Sequence, residues 1–138
     1  MKQSSKSSAK KPSPQPRKRP SFPLISEDMK HWSAMLQAEM SGWPGITTRS
    51  MFGFVFYYHR RTVFAALPRT RGFDSPSSLV FKFDSIPTNL RKRAKADTRI
   101  ATSMKASSKG WLSFELSSES DLRDALFWLN HCYEAANR

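Results

Sequence analysis

The chain has 138 residues, 38% of them hydrophobic, with ten Phe, four Trp and three Tyr, which suffices for one core and not for two. A single cysteine, Cys132, excludes an internal disulfide; no Cys/His cluster has zinc-ligand spacing, and no apolar run approaches the length of a membrane helix. The net charge of +12 points to polyanionic partners without choosing among nucleic acid, acidic proteins and anionic lipid surfaces.

Residues 1–20 hold Lys2, Lys6, Lys10, Lys11, Arg17, Lys18 and Arg19 and no acid. Their apolar content cannot offset the entropy of ordering. Pro12, Pro14, Pro16 and Pro20 favour extended backbone and forbid an amphipathic helix, so the segment reads as neither a secretory signal nor a transit peptide. The expectation is a disordered basic tail over residues 1–22, a single α+β domain over 23–138, and a soluble cytoplasmic protein with no membrane insertion.

A first helix is expected over about 26–40. Ser26 is its N-cap, Glu27 and Asp28 suit the dipole, and Met29, Trp32, Leu36 and Met40 recur at helical spacing. Ser41-Gly42-Trp43-Pro44-Gly45 ends it. Residues 46–58 are dense in β-branched and aromatic side chains, with Gly53 dividing the run. His59-Arg60-Arg61 reads as a turn, 62–67 as the returning strand and 68–78 as a loop. Leu79, Phe81 and Phe83 alternate with Val80, Lys82 and Asp84, the pattern of a half-buried strand. A short helix over 87–96 opens on Pro87. Residues 97–109 read as a mobile loop and 111–116 as the last strand. The closing helix, starting at 117–119, carries the stripe Leu122, Ala125, Leu126, Leu129, Cys132, Tyr133 and Ala136. The economical fold is a mostly antiparallel sheet of about four to five strands with the N- and C-terminal helices packed on it.

Few of these residues suggest chemistry. His31, His59 and His131 lack metal partners at helical spacing and read as ordinary surface or boundary histidines. Cys132 reads as a buried small hydrophobe. Glu27, Asp28, Glu119 and Asp121 fall where helix caps explain them, and no Gly-rich phosphate loop is present. The pattern calls for no catalytic residue, no metal and no cofactor. Two basic stretches stand apart. Lys10, Lys11, Arg17, Lys18 and Arg19 in the tail, and Arg91, Lys92, Arg93, Lys95 and Arg99 on and after the short helix, could contact the phosphates of DNA or RNA. The same charges could serve as a solvated surface, and the tail as a receptor-read localisation signal. The aromatic run Phe52, Phe54, Phe56, Tyr57 and Tyr58 reads first as core, and second as a stacking platform for single-stranded nucleic acid. The leading expectation is a non-enzymatic binding module associated with DNA or RNA through the basic tail and residues 91–109; the alternative is a domain for a small ligand or protein partner with a generic electrostatic tail, and an enzyme is a distant third.

Thr48-Arg49-Ser50-Met51-Phe52-Gly53, followed by an aromatic strand, resembles the Arg-x-Met-Phe-Gly signature of the TfoX N-terminal domain, whose later strand has a counterpart in Phe81-Lys82-Phe83. Gly110-Trp111-Leu112-Ser113-Phe114 and Tyr133-Glu134-Ala135-Ala136 are similar to the layout of YjbR-like domains. They are similar also to a family labelled luciferase domain, which has a Trp-Pro-Gly element like Trp43-Pro44-Gly45. The resemblance covers about 26–137. It implies a small α+β fold, a regulatory or binding role and, for YjbR-like domains, nucleic-acid contact. Its motif residues Arg49, Met51, Phe52, Gly53, Lys82 and Trp111 would be structural, and it implies no catalytic residue. The chain departs from the pattern in lacking a hairpin glycine at 59–61 and in the long loop at 68–78.

Overall fold

The computed structural model describes residues 22–82, 87–102 and 110–136. The basic tail, with Lys10, Lys11, Arg17, Lys18 and Arg19, lies outside the described residues, as do Phe83, Lys105 and Lys109. Helix α1 spans Glu27–Met40. Strands β1 (Ile46–Met51), β2 (Phe54–His59), β3 (Thr62–Pro68) and β4 (Ser78–Lys82) follow. Then come α2 (Thr88–Ala96), β5 (Ile100–Thr102), β6 (Trp111–Glu115), a 3-10 turn at Glu119–Asp121 and α3 (Leu122–Ala136). The architecture is α+β.

The strands form one sheet in the order β1-β2-β3-β4-β6-β5, every neighbouring pair antiparallel. This is six strands where the sequence pattern suggested four to five. Gly53 divides the aromatic run as expected: Phe52 and Gly53 both take positive φ, 57° and 87°, as a tight hairpin turn requires, which gives β1 and β2. The additional strand is β5, inside the stretch expected to be a loop; the part of that stretch from 103 to 109 lies outside the described residues. Because β4 and β5 each pair antiparallel with β6, they run in the same direction. Two parallel strands need a long crossover, and α2 supplies it.

The helices share one sheet face. Met29, Trp32, Leu36 and Met40 of α1, Leu129, Trp128 and Cys132 of α3, and Leu90 and Ala94 of α2 meet Val55, Tyr57, Leu79, Phe81 and Phe114. The Ser26 hydroxyl accepts from the Met29 N–H at 3.1 Å, as its N-cap position requires. Leu126, expected on the buried stripe, is only partly buried, and Trp128 takes the core position at 1% exposure. On the opposite face a smaller cluster joins Phe54, Ala66, Phe73, Val80 and Trp111, with Phe22 and Phe56 against it. Strand β4 is therefore buried on both faces, since Leu79 and Phe81 enter one cluster and Val80 the other; the alternation in its sequence conceals that.

His59 also departs from expectation. It is the last residue of β2, buried to 5%, with Nδ1 2.7 Å from the Tyr133 carbonyl and its ring stacked on that of Tyr133 at 3.8 Å. The Tyr133 hydroxyl donates to the Pro44 carbonyl. Arg60 turns the hairpin with φ of 61°, a conformation usually left to glycine.

Candidate nucleic-acid interface

Helix α2 touches the core through two apolar side chains. Leu90 and Ala94, one turn apart, are buried. The remaining positions include Arg91, Lys92, Arg93 and Lys95, all exposed, and the helix contains no acid. Arg93 and Lys95 fall in the last turn, where the helix dipole favours cations. Pro87 occupies the N-cap without a side-chain hydrogen bond.

The four cations divide by role. The Arg93 guanidinium lies 4.3 Å from the Phe127 ring centroid and 5.9 Å from that of Trp128, a cation–π contact that ties α2 to α3. Arg91, Lys92 and Lys95 line a groove of about 610 Å³ between α2 and β5, with Thr88, Ala94, Ile100, Ala101, Thr102 and Leu112. Three cations thus rim a trough whose floor is largely apolar. At the other edge of the sheet a more polar groove of about 390 Å³ between α1 and β1 is lined by Lys30, Ser33, Gln37, Thr48, Ser50 and Arg69 among others.

Arg99, grouped with these cations on sequence grounds, has a different environment. It bonds Asp97 at 2.7 Å, Asp121 at 2.9 Å and Asp124 at 2.9 Å, with its guanidinium 4.9 Å from the Phe114 ring centroid. Those hydrogen bonds, that to Asp97 foremost, raise its pKa further above the ordinary arginine value. The Arg99 guanidinium likewise holds the Asp97 carboxyl below the usual carboxylate range. Burial alone would raise Asp121, but donors from the Ser117 and Ser118 backbone, the Ser117 hydroxyl and Arg99 outweigh it and lower its pKa. The cluster joins the start of β5 to the start of α3. A charge already matched by three carboxylates has little left for an external phosphate.

The motif residues divide as well. Gly53 is structural: its carbonyl accepts from the N–H groups of Arg69, Thr70 and Arg71, and a Cβ there would lie 2.7 Å from Arg71 Cγ. Trp111 is buried in the second cluster, while Met51 and Lys82 are half-buried. Arg49 is exposed, and Phe52 is 77% exposed. Of the aromatic run, Phe54 and Tyr57 are core, Phe56 and Tyr58 half-buried.

Sequence reasoning missed the groove floor and the carboxylates around Arg99. The signals present were the β-branched Ile100 and Thr102 and the Asp97-x-Arg99 spacing. Of the two basic clusters only the one on α2 lies within the described residues. Helix α2 lies on the helical face, whereas residue 22, where the tail joins the described chain, packs in the cluster on the opposite face. Cys132 is buried, and among the described residues no three His, Cys, Asp or Glu side chains could hold a metal ion. No described helix is long and apolar enough to cross a membrane. Comparisons with family models, curated proteins and solved structures find no match to this chain.

Proposed function

We propose that the protein is a non-enzymatic binding module that associates with nucleic acid, with the exposed face of α2 contacting phosphates. The observation that carries this reading is a helix with four cations and no acid, three of them rimming one groove. Cations held on a rigid helix contact phosphates at less entropic cost than the same charges on an unstructured chain. The basic tail adds a second set of cations. The similarity of residues 48–53 and 110–114 to TfoX-like and YjbR-like domains agrees with a regulatory or nucleic-acid role.

The apolar floor of Ile100, Leu112 and Ala94 favours one other reading: an anionic small ligand with an apolar body, held by Arg91, Lys92 and Lys95.

Salt-dependent binding tests both. Each duplex phosphate neutralised adds about −0.9 to the slope of log affinity against log salt. Replacing Arg91, Lys92 and Lys95 with Gln in the full chain should flatten that slope by roughly 2 to 3 if all three engage. Replacing Lys10, Lys11, Arg17, Lys18 and Arg19 measures the tail separately. If only the tail variant loses affinity, the domain has another ligand and the small-anion reading takes its place. If the intact protein binds neither DNA nor RNA at low ionic strength, the nucleic-acid reading is wrong.

A further inference from the structure

All three helices bury their apolar sides on one face of the sheet. The other face is covered at one end by Phe22 and Phe73, which pack on Phe54 at ring-centroid distances of 4.9 and 3.9 Å. Beyond that end, side chains alternate along β2, so Phe56 and Tyr58 share the face of Phe54 and are half-buried, Phe56 with its ring edge-on to Phe54 at 6.3 Å. Across the strand pair Arg49 is opposite Phe56 and Thr47 opposite Tyr58, and both partners are exposed. At the hairpin tip Phe52 is 77% exposed on a backbone with φ of 57°. A bulky residue in that conformation carries strain, and an aromatic ring left in water gains nothing from burial to offset it. The Arg71 side chain lies against Gly53, and its guanidinium donates one hydrogen bond to the Phe22 carbonyl at 3.1 Å.

We infer that the part of this face left open by the described residues binds unpaired nucleotides, stacking bases on Phe52 and on the accessible edges of Phe56 and Tyr58 while Arg49 and Arg71 meet the phosphates. The inference rests on the nucleic-acid reading above and names its substrate: single strands. Accessible rings beside cations are what a single strand needs, because every base offers a π-face and every link a negative charge. A duplex keeps its bases stacked inside, so the rings would contribute little to binding it. Charge complementarity and the course of the chain both favour this occupant. Residues 1–21, with seven cations and no acid, join the described chain at Phe22, within the same face. Cations attached at that point add to the charge complementarity, since they raise the local concentration of a polyanion.

The test uses the full chain with a fluorescent 12-nucleotide single-stranded DNA and the matching 12-base-pair duplex, followed by anisotropy over a salt series. The variants are Phe52→Ala, Tyr58→Ala and Arg49→Gln, each checked for an unchanged thermal unfolding midpoint. Loss of one stacking ring should weaken the single strand about tenfold with the salt slope unchanged, and the duplex less than about twofold. Arg49→Gln should instead flatten the single-strand slope by about 0.7. Phe52 is at a hairpin tip outside the core, so its variant reports even if Tyr58→Ala is destabilised. Duplex and single strand bound equally, with Phe52→Ala and Tyr58→Ala as tight as the parent, would overturn the inference and leave the nucleic-acid reading standing. No binding of either polymer at low salt would remove both. Self-association abolished by Phe52→Ala would assign the face to a second copy of the chain and overturn the proposal.

Discussion

Arg99 is the clearest case of a side chain whose charge works inward. Asp97, Asp121 and Asp124 surround it, so Arg99→Gln leaves three carboxylates close together without their cation. The expected cost is about 2 kcal/mol, since the cluster is only partly buried, with no change in DNA affinity; a denaturant titration and a binding isotherm check the two halves. The same cluster sets a pH dependence. Asp97 and Asp121 have lowered pKa values, so their contribution is fully present above the unfolded carboxylate value of about 3.9. It is lost as pH falls through the lower folded values. The stability gap between the parent and Asp97→Asn should therefore be widest at neutral pH and close toward pH 3. A gap constant across that range would show that the ion cluster is not its source. Tyr57 is the opposite case. It is fully buried, and among the described residues its hydroxyl has no hydrogen-bond partner; burial pushes its pKa up to about 12. Tyr57→Phe removes an unsatisfied polar atom without opening a cavity and should stabilise the fold by about 1 kcal/mol. A lower unfolding midpoint would show that the hydroxyl has a partner after all.

Elements differed in how readily their sequences disclosed them, and the physical reason is periodicity. Helices α1 and α3 repeat apolar residues every three to four positions against a single layer, so their faces read directly from the chain. Even there, Leu126 and Trp128 exchanged roles, because both lie near the stripe and only the packing against Phe81 and Arg93 selects the larger ring. The consequence is measurable: Leu129→Ala should cost about 2–5 kcal/mol, and Leu126→Ala less than about 2 kcal/mol because part of it stays in water. Equal losses would mean that both face the same core. Strand β5 is three residues long between polar stretches, too short for any period to register, and it exists because β6 offers it an edge. His59 was concealed for a related reason: beside two arginines it reads as turn, and only Tyr133, far along the chain, makes the position interior. The cations of α2 were legible in the sequence. Their groove was not, because its far wall is β5.

At the scale of the whole molecule, the sheet separates two surfaces with different chemistry. One carries the helices and the α2 groove; the other carries rings, Arg49 and the junction with the tail. Phe22 closes one end of that second surface through Phe54 and Phe73. Phe22→Ala should thus lower stability by about 1–2 kcal/mol, while neutral replacements at Lys10 through Arg19 should leave it unchanged within about 0.5 kcal/mol. A thermal melt of each variant decides this.

The crossover through α2 and β5 leaves the sheet after β4, and the chain returns as β6 to pair with β4. The remaining sheet is continuous without the excursion: β1 through β4 and β6 pair with one another and pack under α1 and α3. The excursion is held by Leu90, Ala94, the Arg93 stacking contact, the β5 ladder and the Arg99 cluster. It can therefore open as a cooperative unit at a free energy below that of global unfolding. Native-state hydrogen exchange should find the amides of 90–102 released together and earlier than those of α3, and a polyanion on α2 should slow them selectively. The scaffold of β1 through β4, β6, α1 and α3 would keep its protection while that one unit exchanges.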